Sequence, residues 1–262
     1  MQKRRTSELV QMAMFVAIII LLAFTPIGYI PLGVTRATII HVPVIIGSIM
    51  LGPFAGAFLG AVFGITSLIS NTINPTVTSF VFSPFITIGG ASGNFMSLVI
   101  CMVPRILVGV VPYYVYHGLK KVIGNDAVDL TIAGVAGSMT NTILVMGGIY
   151  VFFGQAYAAA REIDFSALFG VIMGVIGING VPEAIVAGIL TMAVCKVLLR
   201  YVKPATQTAE QKPENAQAEA SEPKEDGAAS EEKQDGVKPE ESEQKEDREK
   251  TEEKKDTAKD AD

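Results

Sequence analysis

Long apolar runs alternate with short polar ones through most of this chain, and a charged segment closes it. Apolar runs cover about residues 8–24, 37–51, 53–70, 95–116, 130–153 and 165–199. Helices of this length and composition suit a bilayer core, whose thickness asks for about 20 apolar residues per crossing. Leu51-Gly52-Pro53 is a turn signal between the second run and the third. The last run is too long for one crossing. Asn179-Gly180 and Pro182 divide it into an interfacial or re-entrant piece, 165–178, and a sixth helix, 181–199. The pattern predicts an all-α integral membrane protein, a six-transmembrane-helix bundle.

Charge orients the bundle and sets off the tail. Residues 1–203 carry eleven Lys and Arg against six Asp and Glu, a net of +5, whereas residues 204–262 carry ten against twenty, a net of −10. With the N-terminus inside, Lys3, Arg4, Arg5, Lys120, Lys121, Lys196, Arg200 and Lys203 fall on the inner side, and only Arg36 and Arg161 on the outer. By the positive-inside rule both termini are then cytoplasmic, and segments 25–36, 71–94 and 154–165 lie outside. The segment 204–262 has almost no large apolar residue and is expected to be a disordered acidic cytoplasmic tail that adds nothing to the fold. Lys3-Arg4-Arg5 precedes an apolar run with no small-residue cleavage site, so the first helix is expected to be retained. Cys101 and Cys195 both sit in apolar runs and read as free thiols.

The polar residues inside the apolar runs are the candidates for chemistry. Arg105 follows Pro104 in the fourth run, where a charge at the bilayer centre is costly and must face protein, water or an anion. Pro104 removes one backbone N–H, and a kink is expected there. Asn141, between Thr140 and Thr142, is midway along the fifth run; Asn179 and Glu183 open the sixth helix, one turn apart and on one face. These four are expected to line one outward-facing cavity, with an Arg105–Glu183 ion pair as the structural alternative. His41 in the second run reads as a packing residue. Glycines 52, 56, 60 and 64, four apart, give the third helix a flat face for close packing. Ala13 and Ala17 give the first helix a similar small face near its inner end, open to packing or to a partner.

Several activities lack their motifs. There is no GxxxxGK[ST] phosphate loop, no HExxH, no GxSxG and no Cys/His cluster at metal spacing, so neither ATP hydrolysis nor intramembrane hydrolysis is expected of the chain, and no cofactor. No duplicated half is visible, which speaks against a self-sufficient secondary transporter. A proton-coupled carrier using Glu183 and a membrane scaffold or enzyme remain as rival classes.

Over about residues 7–203 the chain resembles the substrate-binding (S) components of energy-coupling factor (ECF) vitamin transporters. The likeness rests on Ala13 and Ala17, on Ala37-Thr-Ile-Ile-His41-Val-Pro43, on the glycine-laddered LGPFAGAFLGAVFGITSL, on TSFVFSPF from Thr78 to Phe85, and on Val103-Pro-Arg-Ile-Leu-Val-Gly109. The resemblance implies six helices around a vitamin near the outer face of a bacterial-type cell membrane. It also implies an Ala13/Ala17 surface docked on a transmembrane coupling subunit, two cytoplasmic ATPase subunits driving transport, and toppling of the S component to deliver its cargo. The pattern is most similar to pantothenate-type members, with riboflavin and folate types next. A lone buried Arg105 suits the single carboxylate of pantothenate, and a pathway precursor or another small carboxylate fits equally well. There is no Trp, and of the outer-loop aromatics Tyr29, Phe80, Phe82 and Phe85 are the ones read as able to stack a flat ring, which disfavours a flavin. The substrate-binding set is therefore Arg105, Asn141, Asn179, Glu183, Tyr29 and Phe82.

Overall fold

The computed structural model of the protein describes residues 2–32, 35–88 and 90–201. The expected tail over 204–262 lies outside the described residues. The described chain is mostly helical: α1 (Gln2–Phe24), α2 (His41–Leu51), α3 (Pro53–Ile73), α4 (Phe95–Val108), α5 (Val111–Val122), α6 (Asp126–Ala160), α7 (Phe165–Val175) and α8 (Val181–Tyr201). Among these residues, five helical stretches are long and apolar enough to cross a membrane: 6–24, 53–73, 95–122, 126–160 and 165–200. The eleven-residue α2 is apolar but shorter.

The shortest apolar helix is the most enclosed. Every residue from His41 to Met50 is buried, as a helix that is hydrophobic all round must be. One core cluster gathers α2 with Phe15 and Ile19 of α1, Leu59 of α3, Leu130 of α6 and Cys195 of α8. A second joins Phe80, Ile100, Ile149, Phe153 and Leu168 at the other end of α6. Cys101 and Cys195 are both buried and free. Many large apolar side chains point outward, Phe54, Val151 and Leu21 among them, as a lipid-facing surface requires.

Four expectations are corrected. The second helix starts at His41, not at 37, because residues 29–38 form an antiparallel hairpin, β1 (Tyr29–Leu32) with β2 (Thr35–Thr38), pairing Tyr29 with Thr38 and Leu32 with Thr35. Pro43 then falls in the first turn of α2, where its missing N–H costs nothing, whereas a start at 37 would have put it in the helix interior. The fourth run is two helices broken at Gly109 and Val110 rather than one continuous helix; Pro104 lies inside the first, and Pro112 is in the first turn of the second. Asn94 starts α4 with a capping box: its side chain accepts the Met96 N–H while Ser97 Oγ accepts the Asn94 N–H.

The fifth helix is also longer than the apolar run 130–153. It spans 35 residues from the Asn125 cap, with Asp126 and Asp129 near its positive end. At 1.5 Å per residue that is about 50 Å, well over the roughly 30 Å hydrocarbon core. Finally, no loop or re-entrant break divides 165–201. A π-helical turn, Ile176–Gly180, carries α7 into α8, and the Val181 N–H reaches back to the Ile176 carbonyl. The chain passes Pro182 by lengthening one turn instead of leaving the helix.

The glycine ladder packs α3 on α4. Gly52 takes the α2–α3 turn with φ 99°, a conformation that favours glycine. Gly56 lies against the backbone of Gly109, Gly60 against the Arg105 carbonyl, and Gly64 against the Met102 side chain. The ladder thus sets the distance between α3 and the residue with the buried charge.

Candidate functional site

One end of the bundle holds a half-open cavity of about 170 Å³. Its wall is built from the C-terminal end of α1 (Ala23), Thr38 of β2 and the following Ile40, the last turns of α3 (Phe63, Thr66, Ser67, Ser70, Asn71), Arg105 of α4, Asn141 of α6 and Glu183 of α8. Three of the expected residues, Arg105, Asn141 and Glu183, are therefore together, although 78 residues separate the first and last in sequence.

Arg105 is 7% exposed. Its Nη1 donates to the Ile100 carbonyl at 3.0 Å, and Nη2 reaches Ser67 Oγ at 3.5 Å, the long limit of a hydrogen bond. Its Nε is buried without a partner. The rings of Phe63 and Phe82 lie 5.6 and 5.2 Å from the guanidinium carbon, close enough for cation–π attraction. Glu183 does not neutralise this charge: among the described residues there is no Arg105–Glu183 ion pair. Instead Glu183 Oε1 accepts the backbone N–H of Thr38 at 2.8 Å, tying α8 to the hairpin. Asn141 Oδ1 is buried and has no hydrogen-bond partner.

The other expected residues are placed differently. Phe82 lies beneath the guanidinium but outside the cavity wall. Asn179 sits in the π turn, its Oδ1 buried without a partner, and does not line the cavity. Tyr29 opens β1, and its side chain lies outside what is described. His41 is buried in α2 and is not part of the wall. Ala13 and Ala17 are both exposed on α1.

The α3 contribution was missed. Thr66, Ser67, Ser70 and Asn71 stand at spacings of one, four and five in a helix whose other residue with a polar side chain is Thr72, and that grouping was the available signal. Asn71 also holds the loop that follows. Its Nδ2 donates to the Ser67 carbonyl at 2.9 Å, and its Oδ1 accepts Ser79 Oγ at 3.0 Å. Thr72 and Ser83 hydroxyls pair at 2.8 Å, and Ser97 Oγ donates to the Phe80 carbonyl at 2.7 Å.

The wall offers a cation with spare N–H donors at one position and oxygen acceptors on Asn141 and Glu183 at others. That set is chemically complementary to a small anion that also carries hydroxyl or amide N–H groups. Among the described residues no group of three His, Cys, Asp or Glu is placed to hold a metal ion. A half-open polar cavity with one buried cation, inside a bundle of apolar helices, is the arrangement of a multi-pass membrane protein with room for a small solute. Residues 7–195 match the family described as ECF transporter, substrate-specific component, and the chain belongs to that family. It is also 41% identical over 204 residues to the pantothenic acid transporter PanT of Lactococcus lactis subsp. cremoris (strain MG1363), a match covering 76% of this chain and 97% of that protein.

Proposed function

We propose that this subunit binds pantothenate in the cavity and hands it inward when docked on a transmembrane coupling subunit with two cytoplasmic ATPase subunits. The observation that carries the ligand is the buried Arg105 guanidinium, without an ion-pair partner among the described residues, in the cavity wall, with Asn141 Oδ1 lacking a donor. Pantothenate has one carboxylate for the arginine, and two hydroxyls and an amide N–H for Asn141, Glu183 and the α3 hydroxyls. The PanT likeness points to the same ligand. The modest volume and scarcity of wall aromatics suit a slender acid better than a riboflavin or folate ring system.

The cavity opens outward in this reading. It lies where α1 and α3 end and α8 begins, the end opposite the basic N-terminus and the Lys120-Lys121 pair. With the basic ends cytoplasmic, the wall faces the outer leaflet. Purified protein should retain radiolabelled pantothenate saturably, and excess riboflavin or folate should leave it bound. Failure to retain pantothenate, or its displacement by either larger vitamin, would overturn the assignment.

In this reading docking uses the Ala13/Ala17 face of α1; both residues are exposed, and small side chains let a partner helix come close. Changing both to Leu should leave pantothenate binding intact, because lipid accepts Leu as readily as Ala, and should abolish uptake in cells that carry the whole transporter. Wild-type uptake by the double variant would refute the docking role.

A further inference from the structure

We propose that Pro104 is a positioning residue for the Arg105 guanidinium, which it orients by leaving one carbonyl without its helical donor. The inference rests on the reading of Arg105 as the carboxylate-binding group. In an α-helix the N–H of residue 104 would bond the carbonyl of residue 100. Proline has no N–H, so the Ile100 carbonyl, on a residue only 2% exposed, needs another donor. Arg105 Nη1 supplies it at 3.0 Å. A helical side chain slants toward the N-terminus, so the arginine next to the proline is well placed to reach that carbonyl.

The choice of nitrogen matters. Nη1 lies on the Cδ side of the planar guanidinium. Holding it leaves the opposite edge, Nε–H with Nη2–H, as a free side-on fork. That edge takes a carboxylate with two parallel hydrogen bonds. Here Nε is buried without a partner and Nη2 has only the 3.5 Å approach to Ser67. Phe63 and Phe82 hold the group from its surroundings, and Gly60 backs onto the Arg105 carbonyl. Pro104 thus converts an ordinary helical carbonyl into the anchor that points the fork.

The test is Pro104→Ala, compared with wild type and Arg105→Ala. The alanine N–H competes for the Ile100 carbonyl, and alanine is the better helix former. Pantothenate Kd should rise about tenfold, the loss of one well-oriented charge-assisted bond. The melting temperature should hold or rise, and ¹⁵N side-chain spectra should show faster rotation about the Arg105 Cζ–Nη bonds than in wild type. Unchanged affinity, or unchanged rotation with a lower melting temperature, would overturn the inference alone and leave Pro104 as a packing residue. Wild-type affinity in Arg105→Ala would overturn the reading of Arg105 and this inference with it.

Discussion

Arg105→Ala is expected to weaken pantothenate binding about tenfold to a hundredfold while leaving the bundle folded. A charge-assisted hydrogen bond contributes about 1.5–3 kcal/mol, and an anion stranded in the cavity without a cation loses more. Arg105→Lys should recover part of the affinity, because an ammonium restores the charge but not the planar fork. The competing idea, that Arg105 is a strut for Glu183, predicts a different pattern. Removing one member of a buried ion pair typically costs about 3–5 kcal/mol of stability, and neutralising the other restores it. The wall does not contain that pair: Glu183 takes the Thr38 N–H, and Arg105 takes the Ile100 carbonyl. Melting temperature and affinity measured on Arg105→Ala, Glu183→Gln and the double variant separate the two. A lower melting temperature in Arg105→Ala, rescued by Glu183→Gln with affinity constant throughout, would remove Arg105 from the binding site.

The apolar runs showed most of the helices, and the rarity of charge inside them showed Arg105 and Glu183. What they did not show follows from backbone chemistry. The hairpin of Tyr29–Leu32 with Thr35–Thr38 is four residues a side and includes Pro31, so it carries little strand signal. Pro104 drew attention in the fourth run because its missing N–H was counted as a loss, whereas the run breaks at Gly109 and Val110. The side chain of Arg105 satisfies the carbonyl concerned, and the helix runs on to Val108.

Asn179 and Glu183 share a face only if the helix keeps 3.6 residues per turn. The π turn at Ile176–Gly180 lengthens one turn, so the asparagine leaves the wall that Glu183 lines. The α3 stripe was hidden for another reason. Hydroxyls in apolar helices commonly bond back to their own backbone, as Thr72 Oγ1 does to the Leu68 carbonyl at 2.7 Å, so each taken singly is unremarked. Only the grouping of Ser67, Ser70 and Asn71 marks a wall.

Gly60→Val is expected to cost both stability and binding, because this glycine is where the ladder meets the site. A Cβ at position 60 would overlap the Arg105 carbonyl, which is backbone and has no rotamer by which to retreat. α3 and α4 must then separate, and both Arg105 and the α3 stripe shift with them. Over-packing of this kind costs typically about 1–3 kcal/mol, and a β-branched side chain against backbone belongs at or above the top of that range. The neighbouring rungs provide the comparison. Gly64→Ala meets the Met102 side chain, whose flexible thioether can move aside, and should cost less. Gly170→Ala on α7 meets nothing within 4 Å and should leave melting temperature and pantothenate affinity as in the wild type. The order of loss should therefore be Gly60→Val, then Gly64→Ala, then Gly170→Ala, in both measurements. If Gly60→Val melts and binds like the wild type, close contact between α3 and the Arg105 backbone is not what holds the cation in place.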